Sequence, residues 1–301
     1  MENRNRQSTN KDGFSVEYSI VGEGEPVLVL HGGHSNCDEE LGYNELIAHG
    51  YAVITPSRPG YGRTSKELGR TIMTACDAYI ELLDALHIAQ VHVIAISAGG
   101  PSGIHLASRY PTRVKSLVLQ SAVAQCWLTP DDQLYKFSQI MFRPSIERYV
   151  WGVIRVVNRL FPSFLFKTMI ASLSKLPKEK VLPQISSDDR RQFRRMLNRQ
   201  RSGHGFLMDL AQTGHDLTSV LVSIHCPTLI LHSIHDAAVP LEHARNAHQQ
   251  INDSQLWELD SWGHLIWLGT GADGMYERLF TFLKSMGSDA ATNRSTNDCE
   301  S

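Results

Sequence analysis

Apolar positions along the chain follow two rhythms, and their alternation predicts the architecture. "FSVEYSI" (residues 14–20) alternates apolar and polar positions, as a half-exposed edge strand does. "PVLVLHG" (26–32) and "YAVITPS" (51–57) are continuous apolar runs, the pattern of strands covered on both faces. Between residues 71 and 87 the period lengthens: Ile72, Ala75, Tyr79, Leu82, Leu83 and Leu86 fall at helical spacing. "VHVIAI" (91–96) returns to the strand pattern. Residues 99–110 then predict a helix stopped by Pro111, and "VKSLVLQSA" (114–122) another buried strand. "PTLILHS" (227–233) and "SQLWELD" (254–260) follow, each with helical sequence after it. Strand and helix in alternation predict an α/β fold with a mostly parallel, doubly wound sheet.

Residues 124–215 break this rhythm. They hold no strand-like run and read as successive helices, among them "IERYVWGVIRVVNRLF" and "DDRRQFRRMLNRQRS". Their charge differs too, with 15 Lys/Arg against 7 Asp/Glu, where the rest of the chain has 14 against 24. A helical cap or lid inserted at 124–215 is expected, on a core domain of 1–123 and 216–287. The polar stretch 288–301 is expected to be a disordered C-terminal tail.

Bulk properties narrow the function classes. A formal net charge of −2 argues against nucleic acid as a partner. Five scattered cysteines without a CxxC pair point to reduced thiols and a cytoplasmic protein. The first residues, "MENRNRQSTNKDG", carry no secretory signal pattern, and no apolar run has the length of a membrane span. No membrane contact is expected: the apolar residues interleaved with Arg148, Arg155, Arg159 and Lys167 are read as packing, and the arginine run 190–201 as a solvated helix face. No zinc spacing, Walker loop or dinucleotide fingerprint occurs, so neither metal nor cofactor is expected.

The chemistry concentrates where "VHVIAI" stops at Ser97. A strand that turns at once into a helix forces this serine into a strained backbone conformation, and only small residues fit two positions either side. Ala95 and Gly99 are small. The pattern is that of a G-x-S-x-G nucleophile elbow, with Ala95 in place of the first glycine. The turn lifts the hydroxyl over the C-terminal edge of the sheet and leaves the Ala98 N–H free at a helix start, ready to donate to an oxyanion. "HGGHS" (31–35) follows another buried strand, so Gly33, with His34 as a further candidate, can supply the second donor, while His31 holds the loop. A serine nucleophile needs a base and an orienting carboxylate. Asp236 lies just beyond the strand at 227–233 and His264 just beyond that at 254–260, at the same sheet edge.

The order Ser97, Asp236, His264, together with "HGGHS", "TPSRPGYGRTS", "AISAGG", "LHSIHDAAVP" and "SWGH", resembles the α/β-hydrolase superfamily over residues 14–286, in its serine-nucleophile branch with a helical cap. The resemblance implies a serine hydrolase of carboxylesterase type, cleaving a small ester or related acyl substrate through an acyl-enzyme. A serine at the elbow disfavours the epoxide hydrolases and haloalkane dehalogenases, which use aspartate. It leaves open carbon–carbon bond hydrolases, hydroxynitrile lyases, cofactor-free haloperoxidase-like perhydrolases, and ligand receptors on the same fold. Trp127, Trp151, Phe164, His204 and Trp262 are the expected substrate-pocket residues.

Overall fold

The computed structural model describes residues 5–11, 13–40 and 42–297. Eight strands form one sheet: β1 (Asn5–Lys11), β2 (Phe14–Val21), β3 (Glu25–Leu30), β4 (Tyr51–Pro56), β5 (Val91–Ile96), β6 (Val114–Gln120), β7 (Thr228–Ser233) and β8 (Ser254–Leu259). Their spatial order is β1-β2-β4-β3-β5-β6-β7-β8. The β1/β2 and β2/β4 pairs are antiparallel and all others parallel. The apolar runs become β3 to β7, and β5 and β7 are buried at every position. At β8 burial is partial, as suits an edge strand. β2 is expected at the edge but is covered by β1, a polar strand without an apolar rhythm, held by backbone pairing from Asn5↔Ile20 to Lys11↔Phe14.

The helices are α1 (Tyr43–Ala48), α2 (Ile72–Ala85), α3 (Gly100–Arg109), α4 (Gln133–Met141), α5 (Glu147–Leu160), α6 (Pro162–Leu173), α7 (Lys178–Val181), α8 (Ser187–Arg199), α9 (Gly205–Gln212), α10 (Thr218–Val222), α11 (Glu242–Gln250) and α12 (Ala272–Asn297). Leu82, Ile104, Leu221 and Ala247 of α2, α3, α10 and α11 share one buried cluster on one face of the sheet. Leu46 of α1 and Leu279 and Leu283 of α12 join the cluster on the other face. α12 runs on to Asn297, so the backbone of 288–297 is helical where the sequence predicts a disordered tail. Extending an existing helix through Ala290 and Ala291 needs no new nucleus. Residues 298–301 of that expected tail lie outside the described residues.

The six helices α4 to α9 occupy the chain between β6 and α10. Their apolar residues do not form a core of their own. Phe166, Ile170, Phe193 and Leu197 share a cluster with Trp262, Leu265 and Leu229 of the sheet side. α8 starts with a reciprocal cap in which the Ser186 hydroxyl accepts from Asp189 N–H and the Asp189 carboxylate from Ser186 N–H. Its arginines spread over surface pairs, Arg191 with Asp188 and Arg199 with Glu40. Among the described residues no helix is long and apolar enough to cross a membrane.

The order in which strands are added to the sheet reverses around β3. β4, which follows it, pairs on one side, and β5 pairs on the other. The loops leaving β3 and β5 therefore diverge and open a crevice at the C-terminal edge of the sheet, where open α/β sheets bind ligands.

Candidate active site

Ser97 stands at that crevice with φ 50°, a left-handed conformation unusual for serine. It opens a short turn, Ser97–Gly99, that leads into α3. The turn nests against the end of β3 so closely that a Cβ on Gly99 would lie 2.3 Å from the Leu30 carbonyl oxygen. Ala95 is accommodated because its neighbour across the turn is Gly103, where an added Cβ would sit 2.4 Å from the Ala95 methyl. A single methyl is thus placed on one side of this contact and none on the other. Val123 N–H donates to the Ser97 carbonyl (3.0 Å), tying the turn to the chain after β6.

His264 Nε2 lies 3.0 Å from Ser97 Oγ, and its Nδ1 lies 2.7 Å from Asp236 Oδ2. With Nδ1–H directed at the carboxylate, the Nε2 lone pair faces the hydroxyl. Asp236 is fully buried. Its Oδ1 accepts N–H bonds from Ala238 (2.8 Å) and Val239 (2.9 Å). Burial alone would raise its carboxyl, but attraction to His264 and the contacts from His232 and His264 hold it well below the usual carboxylate range. His232, absent from the sequence expectations, sits behind it: its Nε2 lies 2.9 Å from the Val239 carbonyl and 3.3 Å from Asp236 Oδ2.

The loops carrying Asp236 and His264 are both fastened to the end of α6. The Leu173 carbonyl accepts from His264 N–H (2.8 Å) and Ala237 N–H (3.4 Å), and Lys175 N–H donates to the His235 carbonyl (2.7 Å). Ser174 pairs with Asp236 as an isolated antiparallel bridge, and its hydroxyl donates to the Trp262 carbonyl. Gly263 is required here, because a Cβ would lie 2.3 Å from the Leu173 oxygen.

The loop after β3 faces the turn at Ser97, with an added Gly32 Cβ falling 3.2 Å from the Ser97 Cβ. Among the described residues the Gly33 and Ala98 N–H groups donate to no protein acceptor. His34, the further donor candidate, differs. Its N–H points at the Tyr61 hydroxyl (3.4 Å), and its ring stacks on Phe206 at 3.9 Å with Nδ1 2.8 Å from Ser202 Oγ. This desolvation pushes the His34 imidazole down to about 3, so the ring is neutral at ordinary pH.

A buried arginine sets the loop's orientation. Arg58 Nε donates to the His31 carbonyl (2.7 Å), and its N–H donates to His31 Nε2 (2.9 Å). With Nε2 accepting, His31 Nδ1–H is left to donate to the Gly32 carbonyl (2.8 Å). Burial, and then the Arg58 charge, hold the His31 imidazole far below its ordinary range, so it stays neutral. The two guanidinium ends bind Asp209 of α9 at 2.5 and 2.7 Å, and the Tyr61 hydroxyl donates to the same carboxylate at 2.6 Å. The carbonyls of residues 31 and 32 are thus occupied by side-chain donors.

The expected pocket residues divide. Trp151 is buried beside the site: it meets the His34 ring edge-on at 5.1 Å, and its Nε1–H donates to Ser202 Oγ (2.7 Å). Trp127 packs edge-on against His243 at 5.9 Å. Phe164 is 65% exposed because the start of α6 turns outward, and His204 is exposed at the start of α9. Trp262 is fully buried, its Nε1–H donating to the Leu268 carbonyl (2.9 Å), so it is core and not pocket wall. The side chain nearest Gly33 is Phe206, 3.3 Å from an added Cβ there, with Phe142 packed edge-on against it at 5.0 Å. Their only signal in the sequence is aromatic character within the insertion.

Behind the site lies the buried His243, whose Nδ1 accepts from Ala124 N–H (3.1 Å). Burial, then repulsion from His232, pushes its imidazole down to about 4. Below the unfolded histidine pKa of about 6.5 the unfolded chain takes up a proton that the folded chain refuses until about pH 4, so stability falls with pH in that window. This contribution amounts to about 2 kcal/mol at pH 5. Urea unfolding of His243→Gln is expected to lose stability at pH 7.5 but to show a visibly flatter decline to pH 5; an unchanged slope refutes the assignment.

The sequence profile of the alpha/beta hydrolase fold matches residues 25–147, and that of TAP-like proteins residues 211–295. The chain is 52% identical to the uncharacterized hydrolase YcgS of Bacillus subtilis (strain 168) over 274 residues, 91% of this chain and 96% of that protein. It is 24% identical to 2-hydroxy-6-oxo-6-phenylhexa-2,4-dienoate hydrolase of Burkholderia cepacia, across 83% of this chain and 85% of the relative. Among solved structures, the alpha/beta hydrolase fold protein from Nakamurella multipartita superposes with a TM-score of 0.78 at 30% identity, covering 91% of this chain and 97% of its own.

Proposed function

The chain belongs to the α/β-hydrolase superfamily, and on that premise we propose that it is a serine hydrolase acting on a small ester or related acyl compound. The observation that carries this reading is the unbroken hydrogen-bonded chain from Ser97 through His264 to the buried Asp236. His264 takes the Ser97 proton as the hydroxyl oxygen attacks the carbonyl carbon. Asp236 holds the imidazole tautomer and balances the imidazolium. The N–H groups of Gly33 and Ala98 receive the oxyanion, an effect of about 3–4 kcal/mol for each donor. His264 then passes its proton to the leaving group and next deprotonates the water that releases the acyl group. The helical insertion acts as the cap, presenting Phe206 and Trp151 around the oxyanion loop.

A fluorophosphonate probe tests the nucleophile directly. The wild-type chain is expected to gain one adduct on Ser97, and Ser97→Ala none; a folded wild-type chain that stays unlabelled and turns over no p-nitrophenyl ester overturns the reading. A second reading, hydrolysis of a carbon–carbon bond in an oxo-dienoate, is favoured by relatives named for that activity that match along most of the chain. It uses the same three side chains, and turnover of a 2-hydroxy-6-oxo-dienoate with no ester cleavage decides for it.

A further inference from the structure

We propose that the outer edge of α5, with its turn into α6, docks on an anionic lipid bilayer. Tyr149, Val153, Val156 and Leu160 follow one another at steps of four, three and four residues, a single stripe of about 16 Å along the helix. Phe161 and Phe164 extend it round the corner into α6. All six are 57–65% exposed, far more apolar surface than isolated exposed residues leave. Among the described residues, a Cβ added at Gly152, beside the stripe, would meet no atom within 4 Å.

The opposite face of α5 is committed to the protein. Trp151 is buried there with its indole N–H on Ser202 Oγ, and Asn158 donates to the Arg194 carbonyl. The helix cannot roll to hide the stripe without breaking those contacts.

Charge selects the occupant. Arg148, Arg155 and Arg159 each stand one residue before Tyr149, Val156 and Leu160, so they form a column along one flank of the stripe. Arg148 stacks on the Tyr149 ring at 4.6 Å and bonds its hydroxyl, which keeps an apolar face and a charge side by side. The insertion as a whole carries 15 Lys/Arg against 7 Asp/Glu. A second copy meeting this edge through its own would bring two arginine columns together, which is repulsive. A surface of lipid phosphates above acyl chains satisfies both the column and the stripe, as for helices that lie in the interface plane. The sequence reading takes these apolar residues as packing; the exposure of one continuous stripe is what motivates the proposal.

Vesicle flotation tests this, run in the Ser97→Ala background so that its outcome is independent of the hydrolase reading. The protein is expected to float with phosphatidylglycerol/phosphatidylcholine vesicles, and much less with phosphatidylcholine alone or at high salt. Leu160→Glu/Phe164→Glu is expected to lower the partition coefficient more than about tenfold. Arg155→Gln and Arg159→Gln are expected to lower it up to about fivefold each on the anionic vesicles only. Unchanged thermal unfolding establishes that these surface variants are folded. No flotation of the parent protein, or flotation indifferent to Leu160→Glu/Phe164→Glu, overturns the proposal. So does a concentration-dependent dimer in sedimentation that Leu160→Glu abolishes, since the occupant is then a second copy.

Discussion

Replacing Ser97 with alanine is expected to lower kcat for a p-nitrophenyl ester by about 10⁴–10⁶-fold while leaving the fold intact. The size of the loss follows from what the hydroxyl does. On the proposed mechanism, His264 Nε2, 3.0 Å away, takes its proton from this hydroxyl, and the Gly33 and Ala98 donors are useful only once an oxyanion forms on a carbonyl that Ser97 has attacked. The side chains act as a unit, so Ser97→Ala/His264→Ala is expected to be little worse than either single change. The backbone at position 97 keeps its left-handed strain in either case, and alanine removes no buried partner except His264 itself. Unfolding free energy should therefore move by less than about 1 kcal/mol. Steady-state kinetics with circular dichroism on the same preparations checks both halves. A residual rate within about tenfold of wild type would exclude serine nucleophilic catalysis.

The second large effect is on stability. Asp209→Ala is expected to cost about 3–5 kcal/mol, because it leaves the buried Arg58 guanidinium without its carboxylate. Both ends of that guanidinium bond Asp209, while its Nε holds the His31 carbonyl. Asp209 holds the Arg58 charge above its ordinary range against the opposing effect of burial. The damage should reach catalysis as well. Once Arg58 is free to move, the carbonyls of His31 and Gly32 lose their fixed donors and the N–H of Gly33 its aim; a misplacement of about 1 Å costs on the order of 10²-fold in rate. Replacing both partners by apolar residues, Arg58→Met/Asp209→Leu, is expected to recover most of the stability but not the rate. Urea unfolding and kcat on the three variants separate the two effects, and a loss below about 1 kcal/mol for Asp209→Ala would show that the pair is no clamp.

What was legible in the sequence is what depends on local backbone. The elbow could be read because a tight strand-to-helix turn excludes side chains at Gly99 and limits Ala95 to one methyl. Asp236 and His264 could be read because each lies in the loop after a strand of the sheet, Asp236 after the buried β7 and His264 after the edge strand β8. The apolar runs marked β3 to β7 for the same reason. Where the sequence falls short, side chains far apart in the chain decide. Nothing near Arg58 or Asp209 announces a pair 151 residues apart. His232 reads as one more residue of a buried strand until the fold sets it behind Asp236. Which aromatic residues of the insertion face the crevice depends on helix rotation, so Phe164 points outward while Phe206 reaches Gly33. β1 has no apolar pattern in the sequence, and its place in the sheet is seen in its backbone pairing with β2.

The fastening of Leu173, Ser174 and Lys175 to the loops of Asp236 and His264 constrains how this enzyme family could diversify. An insertion borrowed wholesale from a relative would bring new walls for a new substrate, yet it would also have to supply a carbonyl in register with two amides of the recipient. Chimeras joined on the far side of residue 175, retaining the native splice, should inherit a working proton relay. Those joined before residue 173 should inherit only the shape.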